Sequence, residues 1–200
     1  MTNAARQADF SVSVASGEPL DVRDFEVHER ISTLFSIRIT AVTENADLDF
    51  EAIVGQPARF QVKGDLAGTT RARVWTGICK EVQEIAVEEA GLSTYALEIV
   101  PTLWLADQRR NHRMFQLLSD VDIVLALLSE WGIDPVKQLS ATYKKRRYRV
   151  QYGESDFAFI CRLLETPASR STSPATRARA ASSSPTPHRK RGARGDDRLP

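Results

Sequence analysis

Between residues 10 and 101 the chain repeats one pattern six or seven times: a short run in which apolar and polar residues alternate, closed by a turn signal. A period of two is that of a strand with one buried face. Phe10, Val12 and Val14 alternate with Ser11 and Ser13, and Leu20, Val22 and the residues through Val27 form a less regular second run. Phe35, Ile37, Ile39 and Ala41 alternate with Ser36, Arg38 and Thr40; Ala58, Phe60 and Val62 follow, and Tyr95, Leu97 and Ile99 end at Pro101. Arg71–Ile85 places Val74, Ile78 and Val82 on one side and Trp75 and Cys79 on the other. It is long for a regular strand, so a bulge or bend is expected near Gly77. Gly17-Glu18-Pro19, Asn45-Ala46-Asp47, Gly55-Gln56-Pro57, Gly64–Gly68 and Glu88–Gly91 supply turns; the period assigns no element to Leu48–Val54. Short strands at regular spacing point to an antiparallel barrel or sandwich. No helix intervenes before about residue 104, which disfavours a doubly wound α/β fold.

After Trp104 the period lengthens. Ser119 and Asp122 form an S-x-x-D capping box, and Val121, Val124, Leu125, Leu128 and Trp131 follow at helical spacing, with Gly132 placed to end the helix. Tyr148–Glu165 holds a second pair of elements. Tyr148, Val150 and Tyr152 alternate with Arg149 and Gln151 as a half-buried strand that Gly153 breaks. Ser155 is an N-cap between Glu154 and Asp156, and Phe157, Ile160, Cys161 and Leu164 make the apolar face of a second helix. Neither helix is stable alone, so the two are expected to pack together, Leu125 and Leu128 against Phe157 and Ile160.

Residues 166–200 are a different polymer. They contain no Phe, Ile, Val, Met, Trp or Tyr and carry a net charge of +6, which leaves −5 for residues 1–165 of the total of +1. Such a segment buries too little apolar area to offset a chain entropy of roughly 1–2 kcal/mol per residue, and it reads as disordered. The N-terminus lacks the apolar stretch of a signal peptide, and the longest apolar run, Ile123–Leu128, is too short to span a bilayer. A cytosolic, soluble chain is expected.

Few residues suggest chemistry. His28, His112 and His188 lie far apart without companion ligands, so no metal site, catalytic group or cofactor is expected. Glu154 and Asp156 suit the positive end of a helix, and Ser155 has no base beside it and reads as a cap. Arg162 is expected to pair with a carboxylate across the insert. Cys79 and Cys161 read as buried, reduced thiols. The basic run Lys144–Arg149 reads as a solvated strand edge, with phosphate binding as the alternative.

Val150-Gln151-Tyr152, Glu154-Ser155-Asp156, Phe159 and Arg162-Leu163 together resemble the signature of the VgrG family. These are the spike proteins of type VI secretion systems, similar to the baseplate hub of contractile phage tails. The "F-E-V-H-E" strand Phe25–Glu29, Leu34-Phe35-Ser36, Leu48-Asp49, Gly55, Thr76-Gly77-Ile78, Tyr95–Pro101 with Leu103-Trp104, and Met114-Phe115-Gln116 resemble the same family's first barrel and the step into its insert. The resemblance covers most of Phe10–Glu165 and stops at Thr166-Pro167-Ala168.

It implies a mainly β fold with an α+β insert: an incomplete first hub β-barrel over 1–105, the start of the insert domain over 106–165, and the tail over 166–200. Gln151, Tyr152, Glu154, Ser155, Asp156, Phe159, Arg162 and Leu163 are carried over as structural motif residues. The implied role is that of a structural, non-enzymatic spike component. It forms a homotrimer, caps the hexameric Hcp tube and leaves the cell through the type VI apparatus. The chain as given is expected not to hold a stable trimer and to be non-functional as a truncated piece. We read the tail as an out-of-frame continuation, because the resemblance ends inside a helix; a genuine disordered tail for acidic partners remains open. A phage hub fragment, a nucleic-acid-binding protein acting through the tail, and an enzyme with an unseen site are the alternatives.

Overall fold

The computed structural model describes residues 9–168, apart from residues 32, 67–68, 88–90, 138 and 140–141. The basic tail from residue 169, and the out-of-frame reading attached to it, therefore lie outside the described residues, as do most of the Glu88–Gly91 turn and the end of the Gly64–Gly68 loop.

Six strands form one antiparallel sheet: β1 Asp9–Val14, β2 Asp21–His28, β3 Ser36–Thr43, β4 Pro57–Leu66, β5 Thr69–Val87 and β6 Ser93–Val100. Their order is β1-β4-β5-β6-β3-β2. The sheet curls until its edge strands meet through side chains: the rings of Phe10 on β1 and Phe25 on β2 lie 4.8 Å apart. Phe25 in turn contacts Phe60, which stacks on Trp75. The concave face buries Val12, Val14, Ile37, Ile39, Phe60, Tyr95, Leu97 and Ile99, the residues that the alternation selects. The expected antiparallel, barrel-type curl is therefore present.

The bulge expected near Gly77 of β5 is present, at Lys80 rather than at the glycine itself. Gly77 stays in register, opposite Ala58, and the pairing with β6 shifts between Cys79 and Glu81 and again between Glu84 and Ala86. The extra residue at Lys80 reverses the alternation. Val82, assigned by period to the face of Val74 and Ile78, instead packs with Trp75 and Cys79 in the concave core. Gly77 is required for a different reason. A Cβ there would stand 2.0 Å from the Val100 carbonyl oxygen. Gly64-Asp65 is strand rather than loop, paired with Arg71 and Thr70. Leu48–Val54 is a turn segment that inserts Leu48 and Ile53 into the core.

A 3₁₀ helix, Thr102–Asp107, leads out of the sheet to a second core built from β7 Arg110–Gln116, α1 Asp120–Glu130, β8 Tyr148–Ser155 and α2 Asp156–Ala168. β7 is a strand that the sequence pattern did not reveal; its only adjacent apolar residues, Met114 and Phe115, point to opposite faces. It pairs antiparallel with β8. Gly153 does not end β8. It takes φ +64° as the extra residue where Asn111 faces Glu154 and His112 faces Tyr152, a glycine bulge.

Both helix faces are rotated from the expected ones. α1 buries Ile123, Val124, Leu127 and Leu128, whereas Leu125 is half-buried. α2 buries Phe159, Ile160 and Leu163, whereas Leu164 is exposed and Phe157 and Cys161 are half-buried. Each short helix carries two adjoining apolar stripes, and the one chosen is that which meets Phe115, Leu103 and the opposite helix. The capping box at Ser119 is present in both directions. Gly132 at φ +66° ends α1, with the Gly132 and Ile133 amides bonding to the carbonyls of Ser129 and Leu128.

Candidate functional site

The turn from β8 into α2 gathers most of the polar chemistry of the second core. Asp156 opens α2 and its side chain is fully buried. Its Oδ1 accepts from Gln151 Nε2 at 2.7 Å and Asn111 Nδ2 at 3.1 Å. Its Oδ2 accepts from Arg109 Nε at 2.8 Å, Arg109 Nη2 at 2.6 Å and Trp131 Nε1 at 3.0 Å. Burial by itself would raise the carboxyl pKa, but the bonds from Gln151, Arg109, Asn111 and Trp131 outweigh it and hold the pKa below its ordinary value. The group stays ionised, and its donors come from Arg109 just before β7, from β7 and β8, and from the end of α1. It joins the elements of the insert at one point.

A second layer supports it. Arg109 lies over the Trp131 ring and also meets Glu130 at 2.6 Å; Arg113 reaches the same Glu130 at 2.8 Å. Ser155 caps α2, accepting from the Ala158 amide at 3.1 Å while its hydroxyl donates to Asp107 Oδ1 at 2.6 Å. Glu154 pairs with Arg162, which also donates to the Val150 carbonyl at 3.0 Å and lies over the Phe159 ring. Phe159 and Leu163 are buried, and Phe159 stacks on Phe115. Of the eight motif residues, only Tyr152 stands apart. It is 80% exposed, edge-on to His112.

The half-buried reading of β8 is thereby reversed. Arg149 and Gln151 face inward, and Tyr148, Val150 and Tyr152 face outward. The inward polar residues satisfy buried acids: Gln151 serves Asp156, and Arg149 with Arg146 clamps Asp120 at the start of α1, Arg149 Nε at 2.6 Å. The bonds from Arg149 lower the Asp120 pKa despite its burial. Arg146 and Arg149 of the basic run are therefore half-buried in ion pairs, whereas Lys144, Lys145 and Arg147 are exposed. The sequence signal for this inversion was an Arg and a Gln in the register of a strand next to a helix with unpaired acids. Asn111 lies on β7, which the pattern does not reveal, and Arg109 directly precedes it; Trp131, assigned by period to the apolar face of α1, instead turns its Nε1 to Asp156.

The arrangement ties β7, β8 and both helices of the second core together through buried ion pairs and hydrogen bonds. Cys79 is buried, its thiol pushed up to about 11 by desolvation, and Cys161 is half-buried; neither is in a disulfide. Among the described residues no group of three or more His, Cys, Asp or Glu is placed to hold a metal, and no helix is long and apolar enough to cross a membrane.

Comparison with known proteins places this geometry in a lineage. Residues 28–167 match a family model described as the phage tail baseplate hub. The type VI secretion system spike protein VgrG4b of Pseudomonas aeruginosa is 38% identical over 169 residues, which are 82% of this chain and 20% of that protein. VgrG1c of the same organism is 31% identical over 74% of this chain and 20% of its own. VgrG3 of Vibrio cholerae is 28% identical over 80% of this chain and 16% of its own. The chain thus spans about a fifth of the length of the curated relatives it matches. Among solved structures, an E. coli component of the type VI secretion system superposes with a TM-score of 0.65 at 23% identity, covering 77% of this chain and 42% of that one. A prophage tail protein of Shewanella oneidensis superposes at 0.54 and 10% identity, over 80% and 48%. Both likenesses concern the fold.

Proposed function

This chain belongs to the phage tail baseplate hub family, and on that membership we propose that it is the hub portion of a type VI secretion spike, structural rather than catalytic. One observation carries the reading: the family match runs through both cores, from the end of β2 to the end of α2, and the relatives it groups with are described as spike proteins. The curled sheet supplies a stiff wall. The Asp156 cluster fixes the insert as one rigid unit, which a component loaded mechanically requires. We further propose that the curled sheet and the insert are separate domains divided near the 3₁₀ helix, that the spike is a homotrimer seated on the hexameric Hcp ring, and that it leaves the cell through the type VI apparatus.

The test is chemical cross-linking of the purified chain to Hcp rings followed by mass spectrometry. Cross-links from residues of the β1–β6 sheet to one face of the ring are expected. Their absence at saturating ring concentration would overturn the tube-capping role.

A further inference from the structure

β7 and β8 form a two-stranded ribbon whose inner face carries Phe115, Arg149 and Gln151 against the helices. The register places His112 opposite Tyr152, Met114 opposite Val150 and Gln116 opposite Tyr148 on the outer face. Nothing described covers that face: Met114 is 63% exposed, Tyr148 63% and Tyr152 80%. A contiguous stripe of aromatic and thioether surface, with no fixed charge at its centre, has the composition of an interface core. Its rim is basic. Exposed Arg110 flanks one end of the ribbon, and exposed Lys144, Lys145 and Arg147 flank the other. Among the described residues neither Lys144 nor Arg147 makes an ion pair. The matching surface must therefore set negative charge around an apolar centre.

The chain carries such a surface itself. In the connection between β3 and β4, Phe50 is 40% exposed and rests edge-on against Tyr95, the ring centroids 6.1 Å apart. Asp47, Asp49, Glu51 and Glu84 line the same hollow. None of these four makes an ion pair among the described residues. The hollow belongs to the curled sheet and the ribbon to the insert, so the two complementary surfaces are different patches of one chain. That is the requirement for a heterologous contact, and a three-fold ring can be built only from heterologous contacts, since an isologous one closes at two.

Resting on the spike reading and naming a contact within it, we propose that copies of this chain meet head to tail, the outer face of the β7–β8 ribbon of one copy seating on the acidic hollow around Phe50 of the next. Between isolated chains the contact is weak and screened by salt. In the assembled spike it recurs around the three-fold axis.

Sedimentation velocity of the whole chain over rising concentration tests it, with two surface variants. Tyr152→Ala with Arg147→Glu disables the ribbon; Glu51→Lys with Glu84→Lys disables the hollow. Circular dichroism checks that both fold. The unaltered chain should show a sedimentation coefficient that rises with concentration at low salt and ceases to rise at about 0.5 M salt, where charges screen within a few ångströms. Each variant alone should lose the concentration dependence. Their equimolar mixture should recover a dimer and nothing larger, because one intact ribbon then meets one intact hollow. A mixture that stays monomeric, or an unaltered chain that stays monomeric throughout, would overturn the proposal. So would single-stranded oligonucleotide binding that the ribbon variant abolishes while neither variant alters self-association. Ring cross-linking is read separately: cross-links without self-association would sink this contact and leave the spike role standing.

Discussion

Asp156 shows what a single residue contributes here. Five donor atoms converge on its two buried oxygens, so truncating it strands Arg109, Asn111, Trp131 and Gln151 together. Asp156→Ala is expected to destabilise by about 3 kcal/mol, the low end for breaking a buried pair because Arg109 is 36% exposed. The midpoint of urea unfolding measures it. The same residue sets a pH dependence. Its folded pKa lies below the ordinary Asp value of about 3.9, so its ionised form stabilises the fold above that value, and the contribution is lost as pH falls through the folded pKa. Asp120 acts in the same direction. Unfolding midpoints should change little through these two groups between about pH 5 and 7 and fall below about pH 4. Asp156→Asn should flatten that fall. Gly77 is the opposite case, a residue that matters for what it lacks. Gly77→Ala forces a methyl into the Val100 carbonyl and should cost about 3 kcal/mol, visible as a lowered melting temperature.

At the scale of the element, the two helices test which face was chosen. Leu128→Ala should cost about 2–5 kcal/mol, and Leu127→Ala as much, whereas half-buried Leu125→Ala should cost well under half of that. Chemical denaturation of the three variants decides between the observed face and the one that the period alone suggested. Ser119→Ala should cost about 0.5–2 kcal/mol. Aspartate is ordinarily an equal N-cap, but Ser119 Oγ donates to Asp122 Oδ2 at 2.7 Å, and a carboxylate there would face another carboxylate. Ser119→Asp is therefore expected to fall at least as low as Ser119→Ala in the same experiment.

At the scale of the whole molecule, two cores follow one another along the chain, and the curled sheet ends at two strands that touch without exchanging backbone hydrogen bonds. Edges of that kind invite further association. In isolation the chain is expected to sediment as an open, concentration-dependent series rather than as one closed trimer. A sharp trimer boundary at micromolar concentration would contradict this.

The sequence by itself determined the sheet, the helix caps and the lineage. Alternation records burial directly wherever one face of a strand meets a core and the other meets water, as in β3 and β6. Caps such as Ser119, Ser155 and Gly132 are local, their partners lying within a few residues. What only the tertiary structure decided depends on residues far apart in the chain. β7 exists because β8 pairs with it. The bulge at Lys80 moves Val82 to the other face, and alternation carries no mark of an inserted residue. β8 inverts because the strand faces buried acids on α1 and α2: stranding Asp120 and Asp156 in an apolar core would cost more than exposing Tyr148, Val150 and Tyr152. A local pattern rule counts an apolar residue as inward, and here electrostatic pairing across more than twenty residues outweighed it.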